Sequence, residues 1–293
     1  MEKKTLMPLE VLALALGLIF FIYIGWFLGY NKLVKLPNII HNQNQTNDKI
    51  DTAASLLLTN YYSKPDTTIS IADSMIAGMV SGLNDPYTYY ADQTRYEEIK
   101  SFTQKSNIDF KKLNDNTYYL KFDWFTKNLK DELSGDLANI PNSENKILIL
   151  DFRENLGGNF ESVLWFLDNF LNNINVVTEK YNTQEVLQNT SPTTSLASIK
   201  IVMVVSKETS SGGELVSAVF QENNRAKIIG EKTYGKNTIG DFFEFPDGSA
   251  IHISIGKWVT ANGVDINKTG VIPDVVIDSV GEKTLNELLQ FIP

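Results

Sequence analysis

The chain has 293 residues, 43% of them hydrophobic, which is enough for the core of one large domain or two smaller ones. It carries 26 basic and 35 acidic side chains, and the net charge of −9 disfavours nucleic acid or an anionic membrane surface as its main ligand. The absence of cysteine excludes cysteine nucleophiles and cysteine-ligated metal sites, and of the two histidines only His252 lies in a predicted strand, so a Ser-His-Asp triad has one candidate base.

Residues 11–30 form an uncharged run rich in Leu, Ile and Phe. At ~1.5 Å per residue, a helix of this length spans a hydrocarbon core of about 30 Å, and Trp26 and Tyr30 suit its interface. We predict a transmembrane anchor, with a short cytoplasmic tail, over residues 1–30. A buried helix and a cleavable signal peptide are the alternatives, although globular helices are seldom apolar all round and no Ala-x-Ala site follows. Lysines flank the run on both sides, so charge does not set its orientation.

Residues 31–50 end in the sequence HNQNQTN, and this polar composition predicts a linker. Over residues 51–83 apolar side chains recur at helical spacing, interrupted by Lys64-Pro-Asp66, which predicts two or three helices. Asn84-Asp-Pro86 then indicates a turn. We therefore predict an N-terminal helical region over residues 51–100.

An α/β pattern begins after residue 100. Several segments are continuously apolar, which is typical of strands covered on both faces of a parallel sheet. The segments between them have helical spacing, so we predict one α/β domain over residues 101–285. The predicted strands are 118–122, 147–152, 199–205, 226–229, 241–245 and 250–255, and the predicted helices are 125–137, 160–171 and 212–222.

Two short polar segments contain residues suited to nucleophilic chemistry. ETSSGGE, residues 208–214, places Ser211 at the start of a predicted helix, and GEKTYGK, residues 230–236, places Lys236 in a glycine-bounded loop. A serine hydroxyl needs a base, and with histidine nearly absent that base is a lysine or a carboxylate. A lysine serves only when neutral, so its pKa of about 10.4 must fall through burial or neighbouring cations. In the alternative, a serine is only an N-cap with Glu214 completing a capping box, and Lys236 is solvated.

A third segment, Asn155-Leu-Gly-Gly158, ends a predicted strand with two glycines. Such a turn can direct backbone N–H groups toward an anion, and the start of a helix does the same. The amides of Gly157, Gly158 and Gly212 are therefore candidate donors to an oxyanion. A simple strand-to-helix turn is the alternative.

These segments, in this order, resemble the carboxyl-terminal processing peptidases, or tail-specific proteases, a family of Ser/Lys serine endopeptidases. The similar stretches include LNDPYT at 83–88, ILDFRENLGG at 149–158, TSSGGE at 209–214 and GEKTYGK at 230–236, with further matches at YEE 96–98, FPDGSA 245–250 and GVIPDVV 270–276.

The resemblance implies an α/β fold with a crotonase-like catalytic core. It also implies Ser211 as nucleophile, Lys236 as general base, and an oxyanion hole formed by Gly212 with Gly157 or Gly158. No metal or cofactor is expected, the substrate is a protein or peptide, and the catalytic domain is extracytoplasmic.

Three departures from the family pattern matter. The segment SSGGE at 210–214 is richer in glycine than the family's SASASE, although small residues are retained. The family usually has a glutamine four residues after the lysine to orient it, whereas this chain has Gly240. We expect a less well oriented Lys236 and a slow peptidase that glutamine at 240 would improve, unless Asn237 or Thr238 substitutes. Residues 101–116 are also too few for the PDZ domain that the family usually carries there. The alternative function is therefore a catalytically decayed homologue that acts as a binding or regulatory protein.

Overall fold

The computed structural model describes residues 43–62, 71–192 and 195–290. The chain divides into two compact units, Met1–Ile69 and Ser70–Pro293. In the first unit, helix α1 spans Gln43–Asn60, so residues 43–50, predicted as linker, are helical. Glutamine is a good helix former, and composition alone did not reveal this. The predicted anchor at 11–30 lies outside the described residues, and no helix within them is long and apolar enough to cross a membrane.

The second unit begins with α2 (Ile71–Ser81), strand β1 (Tyr89–Ala91) and α3 (Gln93–Thr103). The two helices agree with the predicted helical region. Strand β1 was not predicted, and it pairs antiparallel with a strand far along the chain, with Tyr89 opposite His252. This pairing attaches the N-terminal region to the α/β part of the unit.

The main sheet has six strands with helices between them. The strands are β2 (Asp109–Lys112), β3 (Thr117–Lys121), β4 (Ile147–Asp151), β7 (Lys200–Val205), β8 (Ala226–Gly230) and β11 (Val275–Val276), and the helices are α4 (Leu129–Ala138), α5 (Phe160–Asp168) and α6 (Gly212–Glu222). The strand order is β11-β8-β7-β4-β3-β2, and all strands are parallel except β2. The prediction of an α/β fold is confirmed, and α4 starts later than the predicted 125–137.

Both faces of this sheet are buried, as continuous apolar strands predict. Leu148 and Leu150 of β4 pack into the larger core cluster, whereas Ile149 packs into a second cluster with Val202. The second cluster is completed by the C-terminal segment, a 3₁₀ turn at Val280–Glu282 followed by α7 (Leu285–Leu289). Because β4, β7 and β8 are parallel neighbours, their carboxyl ends lie side by side. The segments that contain Gly157, Ser211 and Lys236 follow these ends.

A second, antiparallel sheet contains β1, β5 (Asn175–Tyr181), β6 (Glu185–Asn189), β9 (Thr238–Glu244) and β10 (Ala250–Thr260). The predicted strands at 241–245 and 250–255 correspond to β9 and β10, although β10 is longer. Strands β5 and β6 were not predicted, because β6 is largely exposed and carries little apolar periodicity.

A buried ion pair ties the C-terminal segment to β4. Arg153 donates from Nε to Asp151 Oδ1 at 2.8 Å and from Nη2 to Oδ2 at 2.6 Å. Its Nη1 donates to the carbonyls of Val280 and Lys283 at 3.0 and 2.6 Å. Because Asp151 is fully buried, its charge depends on this partner.

Replacing Arg153 with Ala should lower the free energy of unfolding by about 3–5 kcal/mol, because Asp151 is left as an unpaired buried charge. Urea unfolding measures this. The matched control is Lys121→Ala, which breaks a 2.9 Å ion pair with Glu154 whose side chains are 27% and 64% exposed. Its cost should stay within about 1 kcal/mol. Equal losses in the two variants would contradict the structural role of the buried pair.

Candidate active site

Ser211 lies in a strained turn between β7 and α6. Its backbone has φ +52° and ψ −115°, a conformation that costs a non-glycine residue about 1–3 kcal/mol and that occurs most often at functional sites. Tertiary hydrogen bonds hold the turn, since Thr209 Oγ1 donates to the carbonyl of Phe152 at 2.7 Å and Ser210 N to that of Asn155 at 3.0 Å. A strand, a strained turn and a helix therefore present Ser211.

The two adjacent serines differ in whether the hydroxyl group donates a hydrogen bond. Ser210 Oγ donates to the carbonyl of Leu156 at 3.0 Å, so its proton is used structurally. Ser211 is at the N-cap of α6, and its hydroxyl donates to no acceptor among the described residues. A capping hydroxyl accepts from a backbone N–H and keeps its own proton. The capping and nucleophilic interpretations of Ser211 are therefore compatible.

The fully buried carboxylate of Glu214 joins the serine turn to the lysine loop. Its Oε2 accepts from Ser211 N at 3.0 Å and from Lys236 N at 2.8 Å, and its Oε1 accepts from Thr233 Oγ1 at 2.5 Å and Gly235 N at 2.6 Å. Two segments separated by helix α6 and strand β8 thus meet at one oxygen atom. The predicted capping box exists on the Glu214 side, but it is only one of four bonds.

The hydrogen-bond directions indicate that Glu214 is ionised. The Thr233 hydroxyl accepts from Val271 N at 2.7 Å, so its own proton goes to Glu214. Burial raises the pKa of Glu214 above its ordinary value, and its four donors offset this only in part. The sequence does indicate a special role for Glu214, because this glutamate lies within the apolar, buried part of α6. A buried carboxylate must have hydrogen-bond or charge partners.

Lys236 is half buried, with Nζ 4.9 Å from the centroid of the Tyr87 ring. Burial lowers the pKa of Lys236 from its ordinary value, and the charges of Asp85 and Glu214 act in the opposite direction. Nζ has no hydrogen-bond partner among the described residues, and no direct bond to Ser211 Oγ is formed. Catalytic hydrogen bonds are commonly long or unformed in the absence of substrate.

The predicted glycine turn packs directly against Ser211. A Cβ on Gly157, which has φ +94°, would lie 2.7 Å from both Gly212 N and Ser211 Cβ. Gly157 N donates to Asn155 Oδ1 at 3.1 Å, so in this conformation Gly158 is the more available of the two predicted glycine donors. The amides of Gly158 and Gly212 have no acceptor among the described residues.

The space beside Gly240 is filled by His252. A Cβ at position 240 would lie 2.2 Å from His252 Cε1 and 2.4 Å from Nε2. The imidazole stacks on Tyr89, with ring centroids 5.1 Å apart, and contacts Phe242 at 4.7 Å. A glutamine at 240 would displace this packed ring, so the expectation that it improves the orientation of Lys236 requires His252 to move.

Asn237 and Thr238 were considered as residues that could orient Lys236 in place of a side chain at position 240. Asn237 Nδ2 donates to the carbonyl of Trp258 at 2.8 Å and to Asp265 at 2.9 Å, and Thr238 Oγ1 is buried without a partner. Over the described ranges, no group of three or more His, Asp or Glu side chains is placed to hold a metal ion. The assembled groups are a hydroxyl, an amine and backbone amides, a set suited to attack on a carbonyl.

Replacing Glu214 with Gln should destabilise the protein and reduce the reactivity of Ser211. An amide –NH₂ cannot accept from the two N–H groups that one carboxylate oxygen now binds, and each buried donor left without a partner costs about 1–3 kcal/mol. Urea unfolding and the rate of labelling by a serine-directed probe measure the two effects. Glu208→Gln, an exposed position in the same loop, is the control and should change neither. A Glu214→Gln protein as stable and reactive as the parent would show that the carboxylate does not hold the site together.

Sequence comparisons agree with the position of this site. The profile of Peptidase family S41 matches residues 116–277, and that of the Activating protease CtpB N-terminal domain matches residues 30–95. A carboxyl-terminal-processing protease of Picosynechococcus is 31% identical over 160 residues, 54% of this chain and 38% of that protein. The chloroplastic carboxyl-terminal-processing peptidase 1 of Arabidopsis thaliana is 34% identical over 128 residues, 43% of this chain and 26% of that protein. The match thus spans well under half the length of these relatives.

Two solved structures share the fold. A photosystem II D1 C-terminal processing protease has a TM-score of 0.58 and 15% identity, covering 78% of this chain and 86% of that chain. A lipoprotein from Streptococcus agalactiae has a TM-score of 0.60 and 17% identity, covering 84% of this chain and 88% of that chain. At these identities the likeness concerns the fold alone.

Proposed function

The chain belongs to peptidase family S41, and we propose that it is a serine endopeptidase with Ser211 as nucleophile and Lys236 as general base. One observation carries the proposal: the backbone amides of both residues bind the same oxygen of Glu214, at 3.0 and 2.8 Å. The two side chains therefore start from neighbouring backbone positions, although they are distant in sequence.

The proposed reaction needs only groups of this chain, the substrate and water. Neutral Lys236 takes the hydroxyl proton as Ser211 Oγ attacks the scissile carbonyl, and the negative charge develops on the carbonyl oxygen. The amides of Gly212 and Gly158 donate to that oxygen, supported by the positive end of α6. Lys236 returns the proton to the leaving amine, and water then hydrolyses the acyl-serine ester with Lys236 again as base.

The lowered pKa of Lys236 supports this role. Its principal cause is burial, which disfavours the ammonium form and increases the fraction of neutral amine at a given pH. The rival function, a decayed homologue that only binds its partners, was motivated by Gly240 and by the lack of room for a PDZ domain. Because His252 fills the space beside position 240, the glycine there is no sign of a damaged site.

The substrate and location are also part of the proposal. Relatives named for carboxyl-terminal processing support a protein or peptide substrate. The apolar run at residues 11–30 supports attachment to a membrane through one helix, with a short cytoplasmic tail and an extracytoplasmic catalytic domain.

Ser211→Ala should abolish cleavage of an unfolded protein such as casein, because no other hydroxyl occupies the strained turn with a free proton. The purified full chain in detergent is compared with this variant and with Ser210→Ala, the matched control. Ser210→Ala loses one hydrogen bond to Leu156, worth about 1 kcal/mol of stability, and should keep most of its activity. Loss of activity only in Ser210→Ala would mean that the nucleophile has been assigned to the wrong serine.

The proposed topology predicts that an external protease degrades the catalytic domain on intact cells that lack an outer-membrane barrier. The same chain without residues 2–30 should remain inside and be protected. A full-length chain that survives, while a known surface protein is degraded, would rule out an extracytoplasmic domain.

A further inference from the structure

Catalysis by Lys236 requires that a flexible four-carbon side chain be held in place. No described residue hydrogen-bonds its Nζ, and position 240 cannot supply a partner because His252 occupies that space. Lys236 Nζ lies over the face of the Tyr87 ring, 4.9 Å from the ring centroid. The positioning of Lys236 therefore depends on what fixes Tyr87.

The backbone of Tyr87 is fixed on both sides. Its N–H donates to Asp85 Oδ1 at 3.0 Å, and its carbonyl accepts from His252 Nδ1 at 2.6 Å. A carbonyl only accepts, so a neutral His252 carries its proton on Nδ1. Thr88 adds a second tie, because its hydroxyl donates to Asp85 Oδ2 at 2.6 Å and accepts from Ser254 N at 3.0 Å.

His252 is itself immobilised by packing. Its ring is half buried between Tyr89 and Phe242, and the pairing of β10 with β1 and β9 fixes its backbone. The glycine at 240 is what allows the ring to lie there, since any Cβ would overlap it. A chain of contacts thus leads to Lys236: Gly240 leaves room for His252, His252 binds the Tyr87 carbonyl, and the Tyr87 ring contacts Lys236.

We propose that Tyr87, held by His252 and Asp85, is the positioning residue for Lys236 and replaces a side chain at position 240 in that role. The inference rests on the proposed function, since it explains how the general base is oriented. The ring covers one side of the amine and excludes water from it.

The kinetic test compares Tyr87→Ala, Tyr87→Phe and the parent. Tyr87→Ala should lower kcat ten- to a hundredfold and leave KM within about twofold, because orientation of the base affects the chemical step. Tyr87→Phe retains the ring face and should recover most of kcat. Tyr62→Ala, a fully exposed tyrosine, controls for loss of an aromatic side chain. Parent-like kcat in Tyr87→Ala would overturn the proposal.

The pH profile distinguishes positioning from a general loss of stability. The charged or titratable groups near Lys236 are Asp85, Glu214, Tyr87 and His252. Burial is the largest cause of the lowered Lys236 pKa, so removing the ring should raise that pKa and move the acidic limb of kcat/KM to higher pH. A parent-like acidic limb in Tyr87→Ala would overturn the role of the ring.

A measurement independent of proteolysis separates failure of this inference from failure of the proposed function. Acylation of Lys236 by an amine-reactive reagent is followed by mass spectrometry against pH in the full chain. The labelling midpoint should rise in Tyr87→Ala, and by less in Tyr87→Leu, which is smaller than the ring but keeps some apolar bulk beside the amine in case alanine disturbs folding. Lys100, whose Nζ lies 4.5 Å from the Tyr96 ring, is the internal control and should not change. Unchanged Lys236 midpoints in both folded variants would overturn the inference even if Ser211 proves to be the nucleophile.

His252 is tested by two substitutions that separate its hydrogen bond from its ring. His252→Phe keeps the ring but loses the donor to the Tyr87 carbonyl, whereas His252→Asn keeps an N–H near the position of Nδ1. If the bond fixes Tyr87, the Lys236 labelling midpoint rises in His252→Phe and is closer to the parent in His252→Asn. The opposite order would assign the effect to ring packing and overturn the role given to the hydrogen bond.

Discussion

The carboxylate of Glu214 is the interaction on which the site depends. A buried charge is tolerated only when it is paired or hydrogen-bonded, and here both oxygens are fully used by donors from two segments. Because the Glu214 charge must be hydrogen-bonded, the backbone amides of Ser211 and Lys236 are held next to each other. It also helps to hold Ser211 in a backbone conformation that a free chain would avoid.

A second constraint comes from the N-terminal side of the same unit. Strand β1 extends the antiparallel sheet, and the preceding residues 85–88 bring Asp85 and Tyr87 to the lysine. Residues 85–91, which precede the α/β core in the same unit, are therefore part of the site. This arrangement gives a physical reason for the motif LNDPYT: its aspartate and threonine fix the turn, and its tyrosine contacts Lys236.

Much of the fold could be predicted from the sequence, and the sequence also named the candidate residues. Buried strands such as β4 and β7 have a strong apolar pattern, and the glycine- and serine-rich segments that follow them mark where polar groups collect. Strand β6 and the first turns of α1 were missed because their patterns are weak. The engagement of the Gly157 amide, the shared oxygen of Glu214 and the overlap of His252 with position 240 were inaccessible, because each depends on contacts between distant segments.

The central claim is that Lys236 activates Ser211. Its most direct test is the site and rate of modification by a fluorophosphonate, mapped by mass spectrometry in the parent and in Lys236→Met, with circular dichroism to verify folding. We expect an adduct on Ser211 in the parent and at least a hundredfold slower modification in folded Lys236→Met, roughly 3 kcal/mol of lost activation. An adduct on Ser210, or an equal rate without the lysine, would contradict it.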